Sequence, residues 1–192
     1  MAILVLRKAW RLGAIIFPLT YYFTNKITSL FVILPFLCIF IVLEVLRFFI
    51  FRFNERLFIS FRYILKEKEK KTLLSTTWFL LSVFLTVILF SKDIAITAIL
   101  FLIFSDASAD IIGSKFGRIR ILKTRTFEGS LAFFITCLII GIIINFTKIN
   151  LGFSVFIWGA LAATVIELLP LPIEDNFTIA LFSGIIMTIL AR

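Results

Sequence analysis

Long apolar stretches alternate with short polar ones, and this alternation predicts the elements. Apolar runs occupy roughly residues 10–24, 28–50, 73–90, 94–112, 129–147, 151–169 and 176–191. Runs that are apolar on every side read as helices whose solvent is lipid. An upright crossing needs about 20 residues. The shorter runs reach that span with flanking residues or local bilayer thinning. The expected fold is all-α, a polytopic transmembrane helical bundle of about seven spans, in one integral domain over residues 1–192. The run 94–112 departs from the others: it opens apolar and closes as Ser105-Asp106-Ala107-Ser108-Ala109-Asp110. Pro170 and Pro172 stop the sixth helix. The basic segment 52–72 predicts an interfacial helix. Arg7, Lys8 and Arg11 precede the first run as in a signal peptide, but no small-x-small cleavage site follows, so that run is expected to be retained.

Composition supports the membrane and narrows the chemistry. Hydrophobic residues make up 61% of the chain and charged ones 16%, against about 45–50% and about 25% in a soluble domain. Mean hydropathy is +1.14. No His is present, which excludes Ser-His-Asp and Cys-His catalysis and imidazole-ligated zinc. Cys38 and Cys137 lie inside apolar runs without a CxxC motif and are expected to pack as small hydrophobes. Chemistry must therefore rest on carboxylates, Lys and Arg, hydroxyls, backbone groups and a bound cation.

Charge sets the expected orientation. With seven spans, one side receives Arg7, Lys8 and Arg11, the basic residues from Arg47 to Lys71, and Lys115, Arg118, Arg120, Lys123 and Arg125. Only Lys26, Lys92, Lys148 and Arg192 fall opposite. The N-terminus is thus expected in the cytoplasm. Asp106, Asp110, Glu128, Glu167, Glu174 and Asp175 come to that same face from three distant stretches.

Asp106 and Asp110 are spaced i, i+4, which puts both carboxylates on one helix face. Like charges so placed repel, and more strongly near lipid, unless a cation lies between them. Magnesium, which takes one or two carboxylates together with phosphate oxygens and water, would relieve that repulsion. Gly113 and Gly117 permit backbone conformations that aim N–H groups at an anion. Lys115, Arg118, Arg120, Lys123 and Arg125 supply charge for a polyphosphate. The N-terminus of the fifth helix, after Arg125-Thr126-Phe127-Glu128-Gly129-Ser130, favours phosphate too. Carboxylates, a basic loop and a metal on one face are the parts that phosphoryl transfer uses. Plainer readings stand beside these. The Asp pair would also suit a solvated helix end, Gly113-x-x-x-Gly117 a helix-packing motif, and the basic run an orientation signal. Asp175 or Asn176 would suit a helix cap. Glu44 and Arg47, at i, i+3, would suit each other, and Lys66 to Lys71 a headgroup-facing surface.

The stretch S-D-A-S-A-D-I-I-G-S-K-F-G followed by R-T-F-E-G-S resembles the CTP-dependent lipid kinase family, which includes dolichol kinase, the yeast-type diacylglycerol kinase and phytol kinase. Asp106, Ala109, Gly113, Gly117, Thr126, Glu128, Gly129 and Ser130 match the family's pattern, with Arg125 in place of its usual Lys. Asp175, Asn176 and Thr178 resemble a late D-N-[LF]-T-[IV] element, and Lys66 to Glu69 an R-x-x-E. Arg7-Lys8-Ala9-Trp10-Arg11-Leu12-Gly13 resembles an R-K-x-x-H-x-x-G start, with Arg11 where His is usual. The resemblance implies phosphoryl transfer from CTP to the hydroxyl of diacylglycerol or an isoprenoid alcohol, at the cytoplasmic face of the inner membrane, with membrane lipids and no nucleic acid as partners. It implies Mg²⁺ on Asp106, Asp110, Glu128 and Asp175, with Asp106, Asp110 and Glu128 catalytic. Gly113, Lys115, Gly117, Arg118, Lys123, Arg125, Thr126 and Gly129 would bind the nucleotide. The related phosphatidate cytidylyltransferases are an alternative, although Leu122-Lys123-Thr124-Arg125 and Ser130-Leu131-Ala132 depart from their pattern. A transporter is a third reading. It calls for midplane carboxylates and inverted repeats, and the sequence has neither.

Overall fold

The computed structural model describes residues 12–65, 67–122, 125–171 and 173–191. Arg7, Lys8, Arg11, Lys66, Lys123 and Thr124, all named above, lie outside the described residues. The chain is overwhelmingly helical, as its apolar runs require. The helices are α1 (Ile16–Phe23), α2 (Lys26–Phe49), α3 (Phe51–Ser60), α4 (Ser75–Leu89), α5 (Lys92–Leu100), α6 (Asp106–Phe116), α7 (Phe127–Asn145), α8 (Phe153–Leu168) and α9 (Asp175–Leu190). A π-helical turn, Phe101–Ser105, joins α5 to α6 without a break. The all-α expectation needs one amendment: β1 (Arg120–Leu122) and β2 (Arg125–Thr126) pair antiparallel in a small hairpin between α6 and α7.

Among the described residues three helices are long and apolar enough to cross a membrane: Lys26–Phe49, Lys92–Phe116 and Phe127–Asn145. Gly13–Phe23, Ser75–Leu89, Phe153–Leu168 and Asp175–Leu190 are apolar but shorter. Burial ranks the long ones. The apolar window of Lys92–Phe116 is 72% buried and that of Lys26–Phe49 only 22%. The first is therefore the central post and the second a peripheral helix. Around the post pack Val83, Phe133, Phe156, Ile179 and Met187, each essentially inaccessible. Helix α9 packs on α8, α4 and α5, while α6 packs on α7. At Gly159 a Cβ would stand 2.7 Å from the Met187 sulfur, so the α8–α9 crossing requires a glycine there.

Local chemistry places the helix ends. Asn25 caps α2 by accepting from the Thr28 N–H at 2.9 Å. Lys92 Nζ donates to the Thr24 carbonyl at 2.8 Å, and Lys26 Nζ donates to the Ile88 carbonyl. Both lysines thus satisfy carbonyls left open at helix C-termini. The Lys148 N–H meets the Tyr22 hydroxyl at 3.5 Å. The turns near residues 24, 90 and 148 therefore share one end of the bundle, with Asp93 beside them, and Asp106, Asp110, Glu167 and Asp175 gather around Arg125 elsewhere. Helix α3, in the basic 52–72 segment, exposes Arg52, Arg56 and Ile59 and buries only Phe58.

Glu44 and Arg47 are buried on the inward face of α2, 4% and 1% exposed. They pair with each other through Arg47 Nε and Glu44 Oε2. Arg47 also donates to the carbonyls of Glu69, at 2.7 Å, and Thr72. Glu44 accepts from the Leu74 N–H at 2.6 Å and the Thr77 hydroxyl at 2.8 Å. The two charges thus clamp the segment that leads into α4. Ser75 carries the clamp further: its hydroxyl bonds Glu69 and lies 3.4 Å from Glu174, and its carbonyl accepts from Asn176 at 3.4 Å. The start of α9 is held in this way.

Candidate functional site

Three helix ends and the hairpin meet at the acidic end of the bundle. Helix α6 begins where the apolar run gives out, so Asp106 is the first residue after the π turn. Such turns often mark functional positions. Asp106 is only 5% exposed, and Asp110, one turn on, is half-buried. Helix α8 ends at Leu168, two residues before Pro170, leaving Glu167 in its last turn and 2% exposed. Helix α9 begins at Asp175.

Arg125, on β2, reaches into this group. Its Nη1 lies 2.9 Å from Glu167 Oε1 and 3.5 Å from Asp110 Oδ1, and its Nη2 pairs with Asp175 Oδ2. Ser130 donates to Glu167 Oε2 at 3.1 Å. Burial alone would lower the pKa of Arg125, but the fields of Glu167, Asp175, Asp106 and Asp110 reverse that, and the net shift is upward. One guanidinium thus faces four carboxylates, an arrangement with an excess of negative charge.

A cavity of about 410 Å³ opens beside this group, lined by Asp110, Gly113, Arg120, Thr126, Gly129 and Glu167 among others. Its volume is within the usual range for small-molecule sites, about 300–1,000 Å³. Thr126 caps α7, its hydroxyl accepting from the Gly129 N–H at 3.2 Å, so the N-terminal turn of α7 faces the cavity.

The structure gathers some of the expected residues and disperses others. Asp106, Asp110, Arg125 and Asp175 converge, and Gly113, Gly117, Thr126 and Gly129 pack at the α6–α7 contact. Glu128 turns away and accepts from the Ile119 N–H at 3.2 Å, so it braces the hairpin instead of joining the acids. Lys115 is exposed, its ammonium 5.1 Å from the centre of the Phe116 ring, and Arg118 is exposed as well. Neither lines the cavity, whereas Arg120 does. Glu167, which the sequence brings to this face without naming it a ligand, and Ser130, which matches the resembled pattern, sit at the centre and bond each other. The available signal for Glu167 was a carboxylate at the end of an otherwise apolar helix.

Of the two readings of Gly113-x-x-x-Gly117, the described backbone fits the packing one. None of the described glycines has a positive φ, and Gly113 and Gly129 are helical. They serve close approach. A Cβ at Gly117 would stand 2.6 Å from Thr126 Cγ2, one at Gly113 2.9 Å from Thr126 Oγ1, and one at Gly129 3.0 Å from the Ala109 carbonyl. Gly117→Ala is therefore expected to cost about 1–3 kcal/mol, as overpacking does. Gly152→Ala, with 3.6 Å to its nearest neighbour, should be close to neutral. Thermal unfolding of the two variants checks this contrast.

Oxygen donors of this kind suit magnesium. Among the described residues, however, no three acidic side chains close around one point. Of the residues expected to hold magnesium, Asp106, Asp110 and Asp175 lie around Arg125 and Glu128 does not.

No family model matches the chain, and no solved structure matches it. The uncharacterized protein RP860 of Rickettsia prowazekii (strain Madrid E) is 32% identical over 181 residues, covering 91% of this chain and 88% of that protein. The chain belongs to the family of that protein.

Proposed function

With that family membership as the premise, we propose that the protein is a multi-pass membrane enzyme that transfers the γ-phosphoryl group of CTP to the hydroxyl of a membrane lipid. The acceptor class is diacylglycerol or an isoprenoid alcohol such as dolichol, polyprenol or phytol. The observation that carries this reading is Arg125, held by carboxylates from three helices beside a cavity that a helix N-terminus faces. The resemblance of the 105–130 stretch to the CTP-dependent lipid kinases supplies the nucleotide and the reaction. The chain is read as seven spans with a cytoplasmic N-terminus in the inner membrane, which gives the acidic end access to cytosolic nucleotide.

In this reading Arg125 and Arg120 neutralise the triphosphate, and the first turn of α7 adds its partial positive charge. Lys123, which follows Leu122 in the sequence, is a further basic residue that the resemblance assigns to the nucleotide. Bound magnesium would supply further neutralisation of the phosphates. The lipid hydroxyl oxygen attacks the γ-phosphorus, the bond to the β-phosphate oxygen breaks, and CDP leaves. The hydroxyl proton passes to a carboxylate of the Asp106–Asp110 pair. Rate comes chiefly from positioning and charge neutralisation.

The test is purified protein in lipid nanodiscs with magnesium, a panel of lipid alcohols, and CTP or ATP labelled at the γ-phosphate. Label entering the organic phase is expected with CTP. Label entering the lipid only from α-labelled CTP, with pyrophosphate released and phosphatidate as acceptor, would replace this reading with cytidylyl transfer. Absence of label from either position would overturn both.

A further inference from the structure

We propose that the hairpin between α6 and α7 docks on anionic lipid. Its apolar outer face lies in the headgroup layer, and Lys115 and Arg118 hold acidic headgroups there. The inference needs Lys92–Phe116 and Phe127–Asn145 to cross the bilayer, and it does not need the kinase reaction. Residues 117–126 join those two apolar helices, so the hairpin starts and ends at the bilayer surface. What it exposes there is apolar: Phe116, Ile119, Ile121 and Phe127 are each between 45% and 62% exposed. Arg120 and Thr126 pair across the strands and line the cavity, whereas Ile119 and Ile121, on either side of Arg120, do not. The hairpin thus has a polar face toward the cavity and an apolar face away from it. Two hydrogen bonds fix Ile119 in place: the Phe127 N–H donates to its carbonyl at 2.8 Å, and its own N–H donates to Glu128 at 3.2 Å.

Charge names the partner. Between Asp110 and Glu128 the sequence has no acidic residue and five basic ones. Arg120 and Arg125 line the cavity, but Lys115 and Arg118 are exposed outside it. Glu128, whose field reaches Arg118, is engaged by the Ile119 N–H. An orientation signal needs basic residues alone, and a nucleotide clamp needs them in the cavity. Neither accounts for large apolar side chains interleaved with outward cations. Exposed apolar groups rimmed by charge mark surfaces that meet a membrane or a partner. Basic and apolar residues mixed at a bilayer surface suit acidic headgroups. Lipid is favoured over an acidic protein because the flanking helices already hold this face at the lipid boundary. The cavity behind the hairpin then opens at headgroup depth.

A fluorescent NBD label on Ile121→Cys tests this, with the full chain in phosphatidylcholine vesicles. Cys38→Ser removes the exposed native thiol, and Cys137 is buried. Part of the lipid is replaced by doxyl-labelled phosphatidylcholine or doxyl-labelled phosphatidylglycerol, either of which quenches a label in contact with lipid. Both are expected to quench, the anionic lipid at a mole fraction at least about fivefold lower. Lys115→Gln/Arg118→Gln should abolish that difference and keep the quenching. Equal quenching by the two lipids overturns the proposal, as does a preference that survives the double substitution. A label on Ile139→Cys, on the exposed side of α7, reports the crossing itself. Quenching at 139 without quenching at 121 means that water or another chain covers the hairpin, which overturns the proposal. Absence of quenching at both removes the crossing, and the proposal with it. Should Ile121→Cys fail to fold, Ile119→Cys makes the same measurement. Turnover plays no part, so failure of the kinase reading leaves the result standing.

Discussion

Asp106→Asn is expected to lower phosphoryl transfer at least about 100-fold while leaving the protein folded. The magnitude is that of losing one preorganised electrostatic group in a water-poor site. Asp106 is 5% exposed, and its field acts on Arg125, Glu167 and Asp175. The substitution keeps the side chain's shape, exchanges one acceptor oxygen for an amide donor and removes one charge. Because four carboxylates share one guanidinium, removing one relieves repulsion, so the melting temperature should stay level or rise. Turnover and thermal unfolding on one preparation check this. Wild-type turnover in the variant would remove Asp106 from the proposed chemistry, and a collapsed melting temperature would give it a structural role instead.

The largest stability effect is expected at Arg47. Replacing it with Met leaves Glu44 buried without its ion-pair partner, and opens the hydrogen bonds to the carbonyls of Glu69 and Thr72. Breaking a buried pair from one side costs about 3–5 kcal/mol. The double variant Glu44→Gln/Arg47→Met removes both charges and should recover much of that loss, since the penalty comes mainly from the stranded partner. Helix α2 alone would not predict so large an effect, because its apolar window is only 22% buried. The loss is also felt at the acidic site, because Ser75 links this clamp to Glu174 and Asn176, which flank Asp175. Thermal unfolding of the single and double variants decides the matter. Equal losses in both would mean that packing, and not charge, dominates.

These two sites differ in how far the sequence revealed them. The i, i+4 spacing of Asp106 and Asp110 placed them on one face because helix geometry is local, and the helix is there. The Glu44–Arg47 pair at i, i+3 was legible for the same reason. What the pair holds was not, since Glu69, Thr72 and Leu74 are brought to it by tertiary packing. The sequence groups Glu128 with the acids through the expected topology and the resemblance of R-T-F-E-G-S. A turn of backbone at the hairpin sends it to Ile119 instead. The G-x-x-x-G spacing of Gly113 and Gly117 fits an anion loop and a packing contact equally well, and only the position of Thr126 separates them. Arg125 was identified as a cation near phosphate, but its hold on Glu167 depends on where α8 stops, which Pro170 signals only in outline.

The most direct test of the central claim is a structure of the protein in lipid with CTP and magnesium bound. The triphosphate is predicted in the cavity beside Gly113, Gly129 and Arg120, with a phosphate oxygen within hydrogen-bonding distance of Arg125 and the metal on the Asp106–Asp110 face. A triphosphate bound at the opposite end of the bundle, or a cavity still empty at saturating nucleotide, would contradict the account.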